Sequence, residues 1–105
     1  MYQFIESSIF SRYLYDYLNE EEYADLQWHL TLDPAAGDII RGSGGVRKLR
    51  WSAKGKGKRG GVRIIYYWHT KAGEIWLLTI YGKNETDNLP TDVVRKLREQ
   101  FESME

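Results

Sequence analysis

Two runs of β-branched and aromatic residues, four residues apart, constrain this fold more than any other feature of the sequence. Residues 62–69 read Val-Arg-Ile-Ile-Tyr-Tyr-Trp-His, and residues 74–81 read Glu-Ile-Trp-Leu-Leu-Thr-Ile-Tyr. Such side chains suit a pleated, packed surface, and the Thr-Lys-Ala-Gly between the runs is turn chemistry. The spacing therefore predicts an antiparallel hairpin at the centre of a sheet. A loop over residues 70–73 sets Arg63 opposite Ile80, and a loop over 71–73 sets it opposite Tyr81. A one-residue slip exchanges the two faces, so the sequence leaves open which tyrosine shares a face with Arg63.

The remaining elements follow from capping and periodicity. Residues 2–6 read as a short first strand. Ser7 or Ser8 caps a helix whose apolar stripe is Phe10, Tyr13, Leu14, Tyr17 and Leu18. Asn19 ends that helix and caps the next, with Glu22 three residues on as in a capping box and acids at the positive end of the helix dipole. Tyr23, Leu26 and Leu30 form its buried stripe, and Pro34 stops it near Leu32 or Asp33. Residues 35–45 are a glycine-rich connection with a short extended piece at 38–40. Residues 46–52 read as a strand with Arg47, Leu49 and Trp51 on one side and Lys48 and Arg50 on the other. Thr91 caps a last helix striped by Val94, Leu97, Phe101 and Met104. The expectation is one α+β domain over residues 1–105. Two N-terminal helices and a C-terminal helix pack on one face of a curved, mostly antiparallel β-sheet. The other face is left free, and the loop between the third strand and the hairpin opens onto it.

Charge points to the chemistry. The formal net charge is zero, yet the average hides a segregation. No acid occurs between Asp38 and Glu74, a segment holding ten bases: Arg41, Arg47, Lys48, Arg50, Lys54, Lys56, Lys58, Arg59, Arg63 and Lys71. The other five bases share the rest of the chain with all fifteen acids. A surface built this way attracts polyanions, nucleic acid first. There is no cysteine, which removes disulfides and thiolate metal sites and suits the cytoplasm. The N-terminus lacks the basic region and apolar run of a signal peptide, and no apolar run approaches a membrane span. His29, on the second helix, reads as structural, and His69, at the hairpin turn, as solvated. Two histidines alone build no metal site. Nucleophile-elbow, Walker and dinucleotide fingerprints are absent, and Gly55-x-Gly57 precedes a strand rather than a helix. The scarcity of acids in the sheet region argues against a glycosidase pair.

Lysine, arginine and tyrosine on a sheet suit one reaction, the cleavage of an RNA backbone without metal or cofactor. It needs a base for the 2′-hydroxyl, cations for a dianionic pentacoordinate phosphate, and a proton for the 5′-oxygen. Clustered cations supply the charge stabilisation, and a lysine crowded by cations can act as base or acid. Tyrosine can stack on a base or hold a proton.

The residues also resemble a known family. Gly-Val-Arg63-Ile-Ile-Tyr66-Tyr67, then Ile-Tyr81-Gly-Lys83-Asn-Glu, preceded by Arg47-Lys48-Leu49-Arg50 and Lys54-Gly-Lys56-Gly-Lys58-Arg59-Gly-Gly, resemble the RelE-like toxins of bacterial toxin–antitoxin modules, within the RelE/ParE superfamily, and the HigB type among them. The resemblance covers nearly the whole chain. It implies a ribosome-dependent endoribonuclease that cleaves messenger RNA in the A site of the small ribosomal subunit and stops translation. It also implies a cognate HigA-like antitoxin, itself a DNA-binding autorepressor, that covers either the basic sheet face or the N-terminal helices. Carried over by position, Arg63 contacts the scissile phosphate, Lys54, Lys56 and Lys58 supply a base or phosphate clamp, and Lys83 is a second catalytic cation. Tyr66 and Tyr81 stack on the message, while Arg47, Lys48, Arg50, Lys58 and Arg59 hold RNA or ribosome. Some relatives place a catalytic Tyr or His near the C-terminus. Residues 84–105 contain neither, so Tyr81 or Lys83 is the substitute general acid. The competing expectations are a non-catalytic RNA- or ribosome-binding module and a ParE-like, gyrase-directed toxin.

Overall fold

The computed structural model describes residues 2–52, 61–83, 85 and 88–103. In chain order these form β1 (Gln3–Glu6), α1 (Ser8–Tyr17), α2 (Glu20–Leu32), β2 (Asp38–Ile39), β3 (Val46–Trp51), β4 (Val62–His69), a single 3₁₀ turn at Thr70–Ala72, β5 (Glu74–Gly82) and α3 (Thr91–Ser103). Among the described residues the strands make one sheet in the order β1-β5-β4-β3-β2. β1 runs parallel to β5, and every other pair is antiparallel.

The local signals act as expected at the starts of the first two helices, whereas Thr91, expected to cap the last, is its first residue and the Val93 and Val94 N–H groups turn to the Pro90 carbonyl. Ser7 caps α1 by accepting the Phe10 N–H at 3.0 Å, and its own hydroxyl donates to the Leu78 carbonyl at 2.7 Å, tying the helix to β5. Asn19 and Glu22 exchange reciprocal bonds of 2.8 Å, a capping box. Phe10, Leu14, Leu18, Tyr23, Leu26 and Leu30 are buried against one face of the sheet, where Leu49, Val62, Ile64, Tyr66, Ile75, Leu77 and Ile80 meet them. Tyr13, expected in that stripe, is exposed.

The placement of α3 differs from expectation. It covers the opposite face, where Val94 and Phe101 pack with Val46, Ile65, Trp76, Leu78 and Tyr81. That face is therefore not left free. The reason is visible in β4 and β5, whose apolar runs are nearly continuous because both of their faces are covered.

The hairpin register resolves in a way neither sequence alternative anticipated. The loop is residues 70–73, with His69 opposite Glu74, yet Arg63 pairs with Tyr81. A β-bulge between Ile65 and Tyr66 makes both true. Ile65 faces Thr79 and Tyr66 faces Leu77, so β5 carries one extra residue, Leu78, and everything beyond it shifts by one.

Tyr66, expected to stack on RNA, lies wholly in the core on the helix-pair face. Its hydroxyl donates to the Pro34 carbonyl at 2.7 Å and accepts the Gly37 N–H at 2.9 Å, closing the turn after α2. Truncation to Phe leaves that buried N–H unpaired, so Tyr66→Phe is expected to destabilise the fold by about 1–3 kcal/mol in a urea titration. RNA or ribosome affinity should not change. A large affinity loss at unchanged stability would return Tyr66 to the binding surface.

Candidate nucleic-acid interface

The bulge decides which groups meet. On the α3 side of the sheet, side chains alternate so that Lys48 and Arg50 on β3, Arg63 and Ile65 on β4, and Tyr81 on β5 share one face. Arg50 and Arg63 are cross-strand partners, as are Arg63 and Tyr81. Directly opposed side chains sit about 5 Å apart at Cβ, so two guanidinium groups and a phenol form one row across three strands.

Arg63 is 8% exposed, and its Nη1 donates to the Val62 carbonyl at 3.4 Å. No carboxylate forms an ion pair with it among the described residues. A desolvated cation next to another cation is unfavourable unless an anion arrives, and a guanidinium fork suits a phosphate. Tyr81 is 7% exposed, and its hydroxyl, also buried, has no hydrogen-bond partner among the described residues. Burial pushes the Tyr81 phenol above its ordinary value, and the Arg63 charge opposes that shift. Tyr81 is therefore neutral near pH 7 and holds a proton.

The sheet row borders a cleft of about 300 Å³ lined by β2, β3, Ile65, Tyr81, the Asn88–Leu89 segment and the start of α3. Lys48 Nζ donates to Asn88 Oδ1, which fastens the segment before α3 to the sheet. Asn88, Leu89 and Asp38 belong to this cleft and were not anticipated. The sequence offered no signal for a polar segment returning across the sheet.

The far end of the hairpin carries Lys83. Its side chain is exposed, and its N–H reaches the Gly61 carbonyl at 3.4 Å. Gly61 (φ +74°) is required there, because a Cβ would lie 2.2 Å from the Trp51 carbonyl oxygen. Glu85 fixes the turn that bears Lys83. Its Oε1 accepts the Gly82 N–H at 2.8 Å and the Tyr17 hydroxyl from α1. Tyr17 is pushed up to about 12 by burial and the Glu85 bond, and the same bond to Tyr17 holds Glu85 below the usual carboxylate range.

These shifts set a pH dependence. Folded Tyr17 holds its proton more tightly than the unfolded chain does, so its contribution is complete below the ordinary value of 10.0 and is lost as pH rises towards about 12. Tyr23, raised by burial and its 2.6 Å bond to Glu6, acts in the same direction. The melting temperature is expected to fall through this alkaline window, and Tyr17→Phe should make the fall shallower. An unchanged slope in that variant would contradict the assignment.

Other expected residues are not brought to the row. Arg47 points to the helix-pair side, where Nη1 donates to the carbonyls of Gly37 at 2.7 Å and Ala35 at 3.3 Å. Tyr66 is core. Lys54, Lys56, Lys58 and Arg59, and with them the loop expected to open onto the sheet, lie outside the described residues. His69 is packed rather than solvated, its ring 4.8 Å from Trp76 and its Nδ1 3.6 Å from Glu74. His29 lies against Trp51 with ring centroids 5.1 Å apart. Among the described residues no group of three or more His, Asp or Glu is placed to hold a metal, and no helix is long and apolar enough to cross a membrane.

Three helices on a five-stranded, mostly antiparallel sheet, a pair on one face and the last on the other, make an α+β architecture that matches the RelE fold. The structure is similar to that of the Escherichia coli toxin RelE, solved in the free state as a double arginine-to-alanine mutant, with a TM-score of 0.57 over 92% of this chain and 96% of that one. Sequence identity between the two is 13%, so the likeness is one of fold. No family model matches the sequence.

Proposed function

We propose that this chain is the toxin of a toxin–antitoxin module, of the HigB type. It acts in the cytoplasm as a ribosome-dependent, metal-independent endoribonuclease that cuts translated messenger RNA in the ribosomal A site and halts translation. The observation that carries this reading is Arg63, a buried guanidinium with no carboxylate partner among the described residues, set between Arg50 and Tyr81 on a RelE-like fold.

The chemistry distributes over the row. A base takes the proton of the 2′-hydroxyl, and the 2′-oxygen attacks phosphorus. The bond from phosphorus to the 5′-oxygen breaks, and that oxygen takes up a proton. Arg63, already desolvated and so pre-organised, and the exposed Arg50 beside it meet the charge that grows on the phosphoryl oxygens. Tyr81, neutral and beside Arg63, is the proton donor to the 5′-oxygen, and Arg63 stabilises the phenolate that results. The base is a lysine: Lys54 or Lys56 of the basic loop, or Lys83 at the end of β5. Lys48, Lys58 and Arg59 bind the RNA backbone, each neutralising roughly one phosphate. A HigA-like antitoxin silences the protein. The N-terminal helices offer it a surface, because Trp28 and Leu32 on α2 are 61% and 67% exposed beside Asp25.

The test is a cell-free translation extract supplied with one defined message. Protein output is expected to stop, with new message ends mapping inside the reading frame, while DNA supercoiling by gyrase is unaffected. Gyrase inhibition with an intact message would replace this reading by a ParE-like one.

A further inference from the structure

The acid-free segment has a counterpart of opposite sign. No lysine or arginine occurs between Arg12 and Arg41, and that stretch holds seven acids, four of them on α2. Glu22 is taken up by the capping box. Glu21, Asp25, Trp28 and Leu32 follow at i, i+4, i+7 and i+11, and all four are exposed. They form one stripe along the outer side of α2, roughly 16 Å long. Its N-terminal half is acidic and its C-terminal half apolar. Trp28 and Leu32 are the two most exposed large apolar side chains among the described residues. Beside them a cleft of about 360 Å³ reaches the end of β3, where Trp51 and His29 form an aromatic wall.

An exposed aromatic and apolar patch marks a protein contact, and tryptophan is a frequent anchor of one. Charge selects what covers it. The stripe repels nucleic acid and acidic segments, whereas lysine or arginine gains by facing Glu21 and Asp25. Asp25 lies one turn from Trp28, so a single guanidinium can meet the carboxylate and the indole face together. The Arg50–Arg63 row, on the other side of the sheet, asks for a partner of the opposite sign.

We propose that the outer stripe of α2 docks a basic amphipathic helix of a partner protein. Apolar side chains of that helix pack on Trp28 and Leu32, and its lysines or arginines meet Asp25 and Glu21. The inference deepens the surface role given above to the N-terminal helices and rests on it for the partner's identity, as a segment of the antitoxin. The chemistry of the segment comes from the stripe alone. A segment built to cover the Arg50–Arg63 row would carry acids instead.

The probe is a pair of synthetic helical peptides with the same two leucines at i and i+4, one flanked by lysines and the other by glutamates. Each is titrated into the purified protein at low and high salt. The lysine peptide should move the amide resonances of α2, and its affinity should fall as salt rises. The glutamate peptide should leave α2 unmoved. Trp28→Ala is expected to weaken the lysine peptide by about thirtyfold. Reversing both acids, Glu21→Lys with Asp25→Lys, should exchange the preference, so that the glutamate peptide binds α2 and the lysine peptide does not. These positions are exposed, so the melting temperatures of the variants should match the wild type. Equal binding of the two peptides to α2, or no binding of the lysine peptide, overturns the proposal. A lysine peptide that binds Trp28→Ala as well as the wild type overturns it too. So does self-association through Trp28 in sedimentation, which gives the stripe to a second copy. None of these readouts needs cleavage. A protein that binds the lysine peptide but cuts no message keeps the docking site and loses the nuclease reading, and one that cuts message while ignoring both peptides does the reverse.

Discussion

Replacing Arg63 by alanine should lower the rate of message cleavage by about two to three orders of magnitude, the loss typical for removal of one pre-organised charge donor. Ribosome binding should barely change. Affinity for ribosomal RNA is spread over many cations, each worth about one phosphate, so one loss out of ten bases in the central segment is a small fraction. Stability should move in the opposite direction from activity, or not at all. Arg63 is buried beside Arg50 without a carboxylate among the described residues, and replacing an unpaired buried charge by an apolar group is neutral or stabilising. Arg63→Lys should recover only part of the rate, because lysine keeps the charge but not the fork. An alanine variant that loses activity and stability together would make Arg63 a structural residue.

The second large effect is expected at Trp76. This side chain is 1% exposed and stands at the centre of the sheet face covered by α3. Its ring stacks on Phe101 at 4.9 Å, with Tyr67 at 5.3 Å and His69 at 4.8 Å, and its Nε1 donates to Glu74 at 2.9 Å. Trp76→Ala should therefore cost about 3–5 kcal/mol. Domains of this size hold roughly 5–15 kcal/mol in all, so thermal unfolding should move down by roughly 10 °C or more. Because Phe101 and Val94 anchor α3 to this face, the loss should also loosen the helix that walls the cleft, and hydrogen exchange in α3 would register it. A change below about 1 kcal/mol would mean that α3 does not sit where Trp76 meets it.

Legibility in the sequence followed the physics of each signal. The caps at Ser7 and Asn19, the stop near Pro34 and the division of β3 into Leu49 and Trp51 against Lys48 and Arg50 were readable because they depend on neighbours in sequence. The register was not. Residues 74–81 are apolar on both faces, so alternation gives no phase, and the bulge at Leu78 leaves no local mark. The same continuity carried unused information, since a strand apolar on both sides needs a cover on both sides, and α3 is that second cover. The partners of Tyr66 and Arg47 were hidden for a related reason, although the side of β3 that Arg47 takes was readable. Both are polar groups on strands, and only the three-dimensional position of residues 34–37 reveals that their partners are backbone atoms of that turn. Arg63, Arg50, Lys48 and Tyr81 were legible as cations and a phenol on a sheet. Their convergence depended on the bulge.

The most direct test of the account is cleavage of a defined messenger RNA by the purified wild-type protein, on programmed ribosomes and free in solution, without added metal beyond what the ribosome needs. Cuts within the A-site codon are expected on ribosomes, and an intact message in their absence. An intact message on ribosomes to which the protein is demonstrably bound would contradict it, and would make the buried Arg63 row a binding surface rather than a catalytic one.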